Sequence, residues 1–152
     1  MIFDKTYQKL LREQQTDPST RTVIIVRGTS GAGKSTFAQL ISEPKVVCTA
    51  DDYFEKDGEY NFDAEKSGEA HGACIRKFED ALSNPNVKNI VVANTNTKSE
   101  HFEPYEQKAQ EAGVRVVYVI LEKRHDNPNV HNVPDDVLTQ QHSDLMSNIK
   151  LA

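Results

Sequence analysis

Hydrophobic and polar positions along the chain switch between two periods. Short β-branched, apolar runs stand at 22–26, 45–49, 89–93 and 114–121, and each reads as a buried parallel strand. Between the runs, apolar residues move to helical spacing. Phe37, Leu40 and Ile41 open a helix after the first strand, and Ala70, Ala73, Cys74, Phe78 and Leu82 form the stripe of one spanning about 63–82. Phe102, Tyr105 and Ala109 predict a third helix, capped by Ser99 and closed by Gly113. Val137, Leu138, Leu145, Met146 and Ile149 predict a last one, with Pro134 in its first turn. Residues 1–20 put Ile2, Phe3, Tyr7, Leu10 and Leu11 opposite Lys5, Lys9 and Arg12, the pattern of an amphipathic helix. Strands alternating with helices predict an α/β fold: a parallel four-stranded sheet with helices on both faces and its ligands at the carboxyl ends of the strands.

At the end of the first predicted strand stands Gly28-Thr29-Ser30-Gly31-Ala32-Gly33-Lys34-Ser35-Thr36, the G-x-x-x-x-G-K-S pattern of a phosphate-binding loop. Strand before and helix after supply the context that the motif requires. Glycines permit backbone dihedrals and close approaches that a Cβ would block, so that the loop amides form an anion nest. Lys34 adds an ammonium for the β- and γ-phosphates and a catalytic charge, and Ser35 offers a hydroxyl to Mg²⁺. These nine residues predict a site for ATP or another nucleoside triphosphate.

Composition narrows the class. At 152 residues the chain is one domain, and 18 basic against 23 acidic residues give a formal net charge of −5. That argues against a general nucleic-acid coat protein. No apolar run reaches the length of a membrane span, and the charged amino terminus lacks a signal-peptide core, so a cytosolic location is expected. Cys48 and Cys74 lie at no metal-ligand spacing and read as reduced, buried thiols.

Four polar clusters fall at predicted strand ends: the phosphate loop, Asp51-Asp52, Asn94 to Thr97, and Lys123-Arg124-His125. A carboxylate beside the loop can accept a proton from an attacking hydroxyl or hold Mg²⁺. Consecutive strand residues point to opposite faces, so one of the two aspartates is expected to face the phosphates.

Together with the loop, Ala50-Asp51-Asp52-Tyr53-Phe54, Asp57 to Asp63, Ala70-His71, Asn94-Thr95-Asn96 and Asn129 to Pro134 resemble the small P-loop kinases grouped with the 5′-kinase domain of phage polynucleotide kinase, an AAA-type, zeta-toxin-like group. The resemblance covers nearly everything after residue 21, making 21–152 a kinase-like domain. It implies a four-stranded parallel sheet, ATP and Mg²⁺, and Asp51 as general base. The implied reaction is phosphoryl transfer to a hydroxyl, foremost a polynucleotide 5′-OH. A nucleoside, a nucleotide or another small molecule as acceptor, or a binding module with little chemistry, are the alternatives.

Two departures bear on that reading. Relatives carry an aspartate at the end of the third strand, where Ala93-Asn94 stands here, leaving Ser35 and Asp52 as the metal candidates. The lid arginine of relatives matches Pro128 in a short lid, and Arg124 is the candidate replacement at the phosphates. Phe54 holds the place of an arginine that polynucleotide kinases use on the acceptor phosphate. Tyr53 and Phe54, for stacking, and Asn94 and Asn96, for amide contacts, are the acceptor-side candidates.

Overall fold

In a computed structural model the chain is described at residues 5–6, 20–125 and 131–149. Lys5 and Thr6 are helical; the rest of the predicted amphipathic helix, and Pro128 in the lid, lie outside the described residues.

The strands of the main sheet are β1 (Thr22–Arg27), β2 (Lys45–Cys48), β5 (Asn89–Ala93) and β6 (Arg115–Ile120), in the order β2-β5-β1-β6. All three pairings are parallel, with Thr22 opposite both Asn89 and Arg115, and Lys45 opposite Asn89. A two-stranded antiparallel ribbon, β3 (Glu55–Lys56) and β4 (Glu59–Tyr60), adds strands that the periodicity does not predict. The helices are α1 (Lys34–Gln39), α2 (Ser67–Ser83), α3 (Ser99–Glu111) and α4 (Asp135–Ser147). The helix predicted from about residue 63 begins as a 3₁₀ turn, Ala64–Lys66, before α2. Ser99 is the first residue of α3 rather than its cap, while Gly113 closes that helix with φ 70° as expected.

The strand period of two sorts the core into layers. Val23, Ile25, Ile90 and Val92 face α2 and α3, meeting Cys74, Phe78, Tyr105 and Ala109. Val26, Val91 and Ala93 face the other way, onto Ala38, Phe37 and Ile41 of the α1 segment. Helices therefore cover both faces, as the alternation predicted. Phe78 is wholly buried and meets Tyr105 edge-to-face, ring centroids 5.0 Å apart. Burying an aromatic ring of that size contributes about 2–3 kcal/mol. The apolar run of β6 proves to be an edge strand, with Val117, Tyr118 and Ile120 each more than a third exposed. Val137 and Met146 of α4 are exposed too, while Leu145 is buried.

From β1 the chain runs to β2 on one side of the sheet and later to β6 on the other. β1 is thus flanked by β5 and β6, and the crevice at its carboxyl end is where such sheets bind ligands. The phosphate loop leaves β1 at that crevice. Level registers bring Asp51, Asn94 and Leu121 to the same end.

Candidate active site

Close approach dictates the start of the loop. A Cβ on buried Gly28 would lie 3.0 Å from the Leu121 carbonyl oxygen and 3.3 Å from the Ala32 side chain. Gly33 caps α1 at φ 103°, a conformation that L side chains rarely adopt. Lys34 arches back over the loop, its Nζ donating to the carbonyls of Gly28 (3.1 Å) and Thr29 (2.8 Å). Burial pulls its ammonium down to about 8, opposed by the charge of Asp51. Two carbonyls in place of water hold this cation poorly, which is the electrostatic preparation for an anionic ligand. From α4, Gln141 Oε1 accepts the Ser30 amide at 2.9 Å, a contact that the sequence did not reveal.

Beyond β2 the chain turns through a 3₁₀ helix, Ala50–Phe54, capped by Thr49, whose Oγ1 accepts from Asp51 N at 3.2 Å. The turn sends the two aspartates to different partners. Asp51 Oδ1 accepts from the Tyr60 hydroxyl at 3.1 Å, and Oδ2 lies 3.7 Å from His131 Nε2. The Tyr60 and His131 rings are in contact, inclined by 36° with centroids 4.1 Å apart. Asp52 instead faces Lys77 of α2 at 3.4 Å. It also lines, with Ser35, a cavity of about 540 Å³, so the two metal candidates border the same space. Among the described residues no cluster of three or more His, Cys, Asp or Glu is placed to hold a metal ion.

Several expected acceptor contacts have other work. Asn96 is 1% exposed at φ 46°, and its Nδ2 donates to the Val26 carbonyl at 2.8 Å, welding the end of β5 to β1. Its amide nitrogen is thus committed to the backbone, while Oδ1 is buried without a hydrogen-bond partner among the described residues. Asn94 Oδ1 accepts the Ala50 amide at 2.8 Å, fixing the start of the Asp51 turn, and its Nδ2 approaches Cys74 Sγ at 3.6 Å. Phe54 is buried against Tyr53, Tyr60 and Phe62, a core residue of the ribbon rather than a stacking platform. Tyr53 is partly exposed, and its hydroxyl donates to Glu69. Arg124 is exposed, its guanidinium paired with Glu122 at 3.0 Å. His71 is exposed on α2.

Beneath the site Arg27 acts as an internal knot. It is 4% exposed and donates to the carbonyls of Asn96 (2.8 Å), Thr97 (3.5 Å) and Asn148 (3.3 Å), with Phe102 4.4 Å from the guanidinium. Burial lowers its pKa from the usual guanidinium value.

A family model described as an AAA domain matches residues 23–143. Human NEDD4-binding protein 2 is 27% identical over 128 residues, 78% of this chain but 7% of that protein, so the chain corresponds to a small part of it. The uncharacterized protein PM0531 of Pasteurella multocida is 29% identical over 140 residues, covering 82% of this chain and 76% of the relative. Among solved structures, the Pnkp1/Rnl/Hen1 RNA repair complex has a chain matching 88% of this one with TM-score 0.64 at 16% identity, 47% of that chain being covered. The Mycobacterium tuberculosis APS kinase CysC aligns with TM-score 0.50 and 20% identity, over 86% of this chain and all of that one. With the phosphate loop at the switch point of its sheet and the match running through the described site, the chain belongs to the AAA-domain family, as a P-loop kinase-like domain that resembles the kinase domain of polynucleotide kinase.

Proposed function

We propose that this chain transfers the γ-phosphoryl group of ATP to a hydroxyl, with a polynucleotide 5′-OH as the foremost acceptor. The observation that carries the proposal is Asp51, a carboxylate at the strand end beside the phosphate loop, near enough to Lys34 to shift its ammonium. The loop amides and Lys34 bind the triphosphate. As the acceptor oxygen forms its bond to phosphorus and the bond to ADP breaks, Asp51 takes the hydroxyl proton. Ser35 and Asp52 are hard oxygen donors lining the same cavity and fit Mg²⁺, which when bound would neutralise phosphate charge. Tyr53, partly exposed beside Asp52, stays on the acceptor side. The resemblance of the sequence motifs to the 5′-kinase domain of polynucleotide kinase makes the 5′-OH the acceptor to test first.

One observation favours a second reading, a nucleotide-binding module. Ala93-Asn94 provides no carboxylate at the end of β5, and Asn94 is committed to the Ala50 amide.

Asp51→Asn separates the two readings. Asparagine keeps the shape and can still accept the Tyr60 hydrogen bond, but it does not take a proton near neutral pH. Phosphate transfer from labelled ATP to a 5′-hydroxyl oligonucleotide or to nucleosides should fall by about 10²–10⁴-fold, while the melting shift with Mg-ATP persists. Wild-type protein that is stabilised by ATP yet labels none of these acceptors leaves the binding module.

A further inference from the structure

The β3–β4 ribbon that follows the Asp51 turn and the distant His131 both meet Asp51, and neither the phosphate loop nor the metal candidates account for the meeting. The Asp57-Gly58 turn, with φ 54° and 80°, closes the β3–β4 ribbon so that Tyr60 pairs with Glu55, just past the Asp51 turn. The Asn61 amide donates to the Phe54 carbonyl at 3.0 Å and extends this closure. Buried Phe54 meets the Tyr60 ring edge-on at 6.2 Å. The His131 ring lies against the same tyrosine, tilted by 36° with centroids 4.1 Å apart. With its ring in contact with both Phe54 and His131, Tyr60 places its hydroxyl 3.1 Å from Asp51 Oδ1.

We propose that Tyr60 is a positioning residue for the base, fixing Oδ1 of Asp51 by its hydroxyl so that Oδ2 is presented to the acceptor, and that His131 acts through Tyr60 by holding its ring. This rests on the kinase reading of Asp51. His131 Nε2 lies 3.7 Å from Oδ2, within ion-pair range but beyond hydrogen-bond length, so Tyr60 fixes the other oxygen, Oδ1. Burial and the neighbouring carboxylate push the Tyr60 hydroxyl up to about 12, so it remains a donor throughout the neutral range. An unheld carboxylate would rotate about its terminal torsion and spend only part of its time aimed at the reacting oxygen.

The experiment compares Tyr60→Phe and His131→Ala, each in wild-type and Asp51→Asn backgrounds, by phosphate transfer from ATP to a 5′-hydroxyl oligonucleotide and to nucleosides. Tyr60→Phe keeps both ring contacts and deletes only the hydroxyl. Its kcat should fall about 10- to 100-fold, as expected for a lost hydrogen bond to a charged group, with KM for ATP and the Mg-ATP melting shift unchanged. His131→Ala should lower kcat in the same direction. In the Asp51→Asn background both losses should vanish, since nothing remains to be aimed. Wild-type kcat in Tyr60→Phe overturns the proposal, and so does an equal loss in the Asp51→Asn background, which would mark a purely structural role. Wild-type protein that labels no acceptor overturns the kinase reading and this proposal with it; a drop in Asp51→Asn without one in Tyr60→Phe overturns this proposal alone.

Discussion

Lys34 illustrates how a single residue is shaped by the absence of water around it. Its ammonium has two backbone carbonyls and the field of Asp51, and burial still brings it down to about 8. The cation is a cost to the fold that a triphosphate would relieve. Lys34→Met should therefore leave the ligand-free protein at least as stable as wild type in thermal melting. The same variant should lose most of the stabilisation by Mg-ATP, which for an intact site amounts to about 2.7 kcal/mol at a hundredfold excess over Kd. A large drop in ligand-free stability would show the lysine to be structural.

At the scale of elements, the segment after β5 is a joint. Asn96 is buried, sits in the left-handed region and bonds to β1, while Arg27 of β1 reaches the Asn96 and Thr97 carbonyls. Asn96→Ala should leave the Val26 carbonyl without its side-chain donor and strain the backbone, costing about 1–3 kcal/mol by denaturant titration. An effect on phosphate transfer without such a loss would restore the acceptor role. The joint explains what was and was not legible in the sequence. The phosphate loop was legible because its chemistry is local and contiguous, and the four strands because apolar runs leave little choice. That Asn94 and Asn96 turn inward was hidden, since an asparagine reads the same whether its amide meets a ligand or a backbone carbonyl. Tyr60 and His131 stood within family-like motifs, but their meeting at Asp51 depends on a ribbon turn and a loop return that no periodicity encodes. Gln141 lay in an ordinary polar face, with nothing to mark its contact with Ser30.

For the molecule as a whole, the sheet order β2-β5-β1-β6 gathers every candidate group at one end. The same order has a consequence in time. β1 and β2 are made first, yet they never touch, because β5 lies between them and pairs with both. A chain emerging during synthesis thus has no strand pair of the main sheet to form until residues 89–93 arrive, and all the pairings join distant segments, which slows folding. A fragment ending at residue 88 should give the narrow amide dispersion of an unfolded chain in NMR spectra; a dispersed sheet spectrum would refute this. Until the third strand of the main sheet is complete, the exposed β-branched run of β1 is the segment a nascent chain would most need shielded from its neighbours.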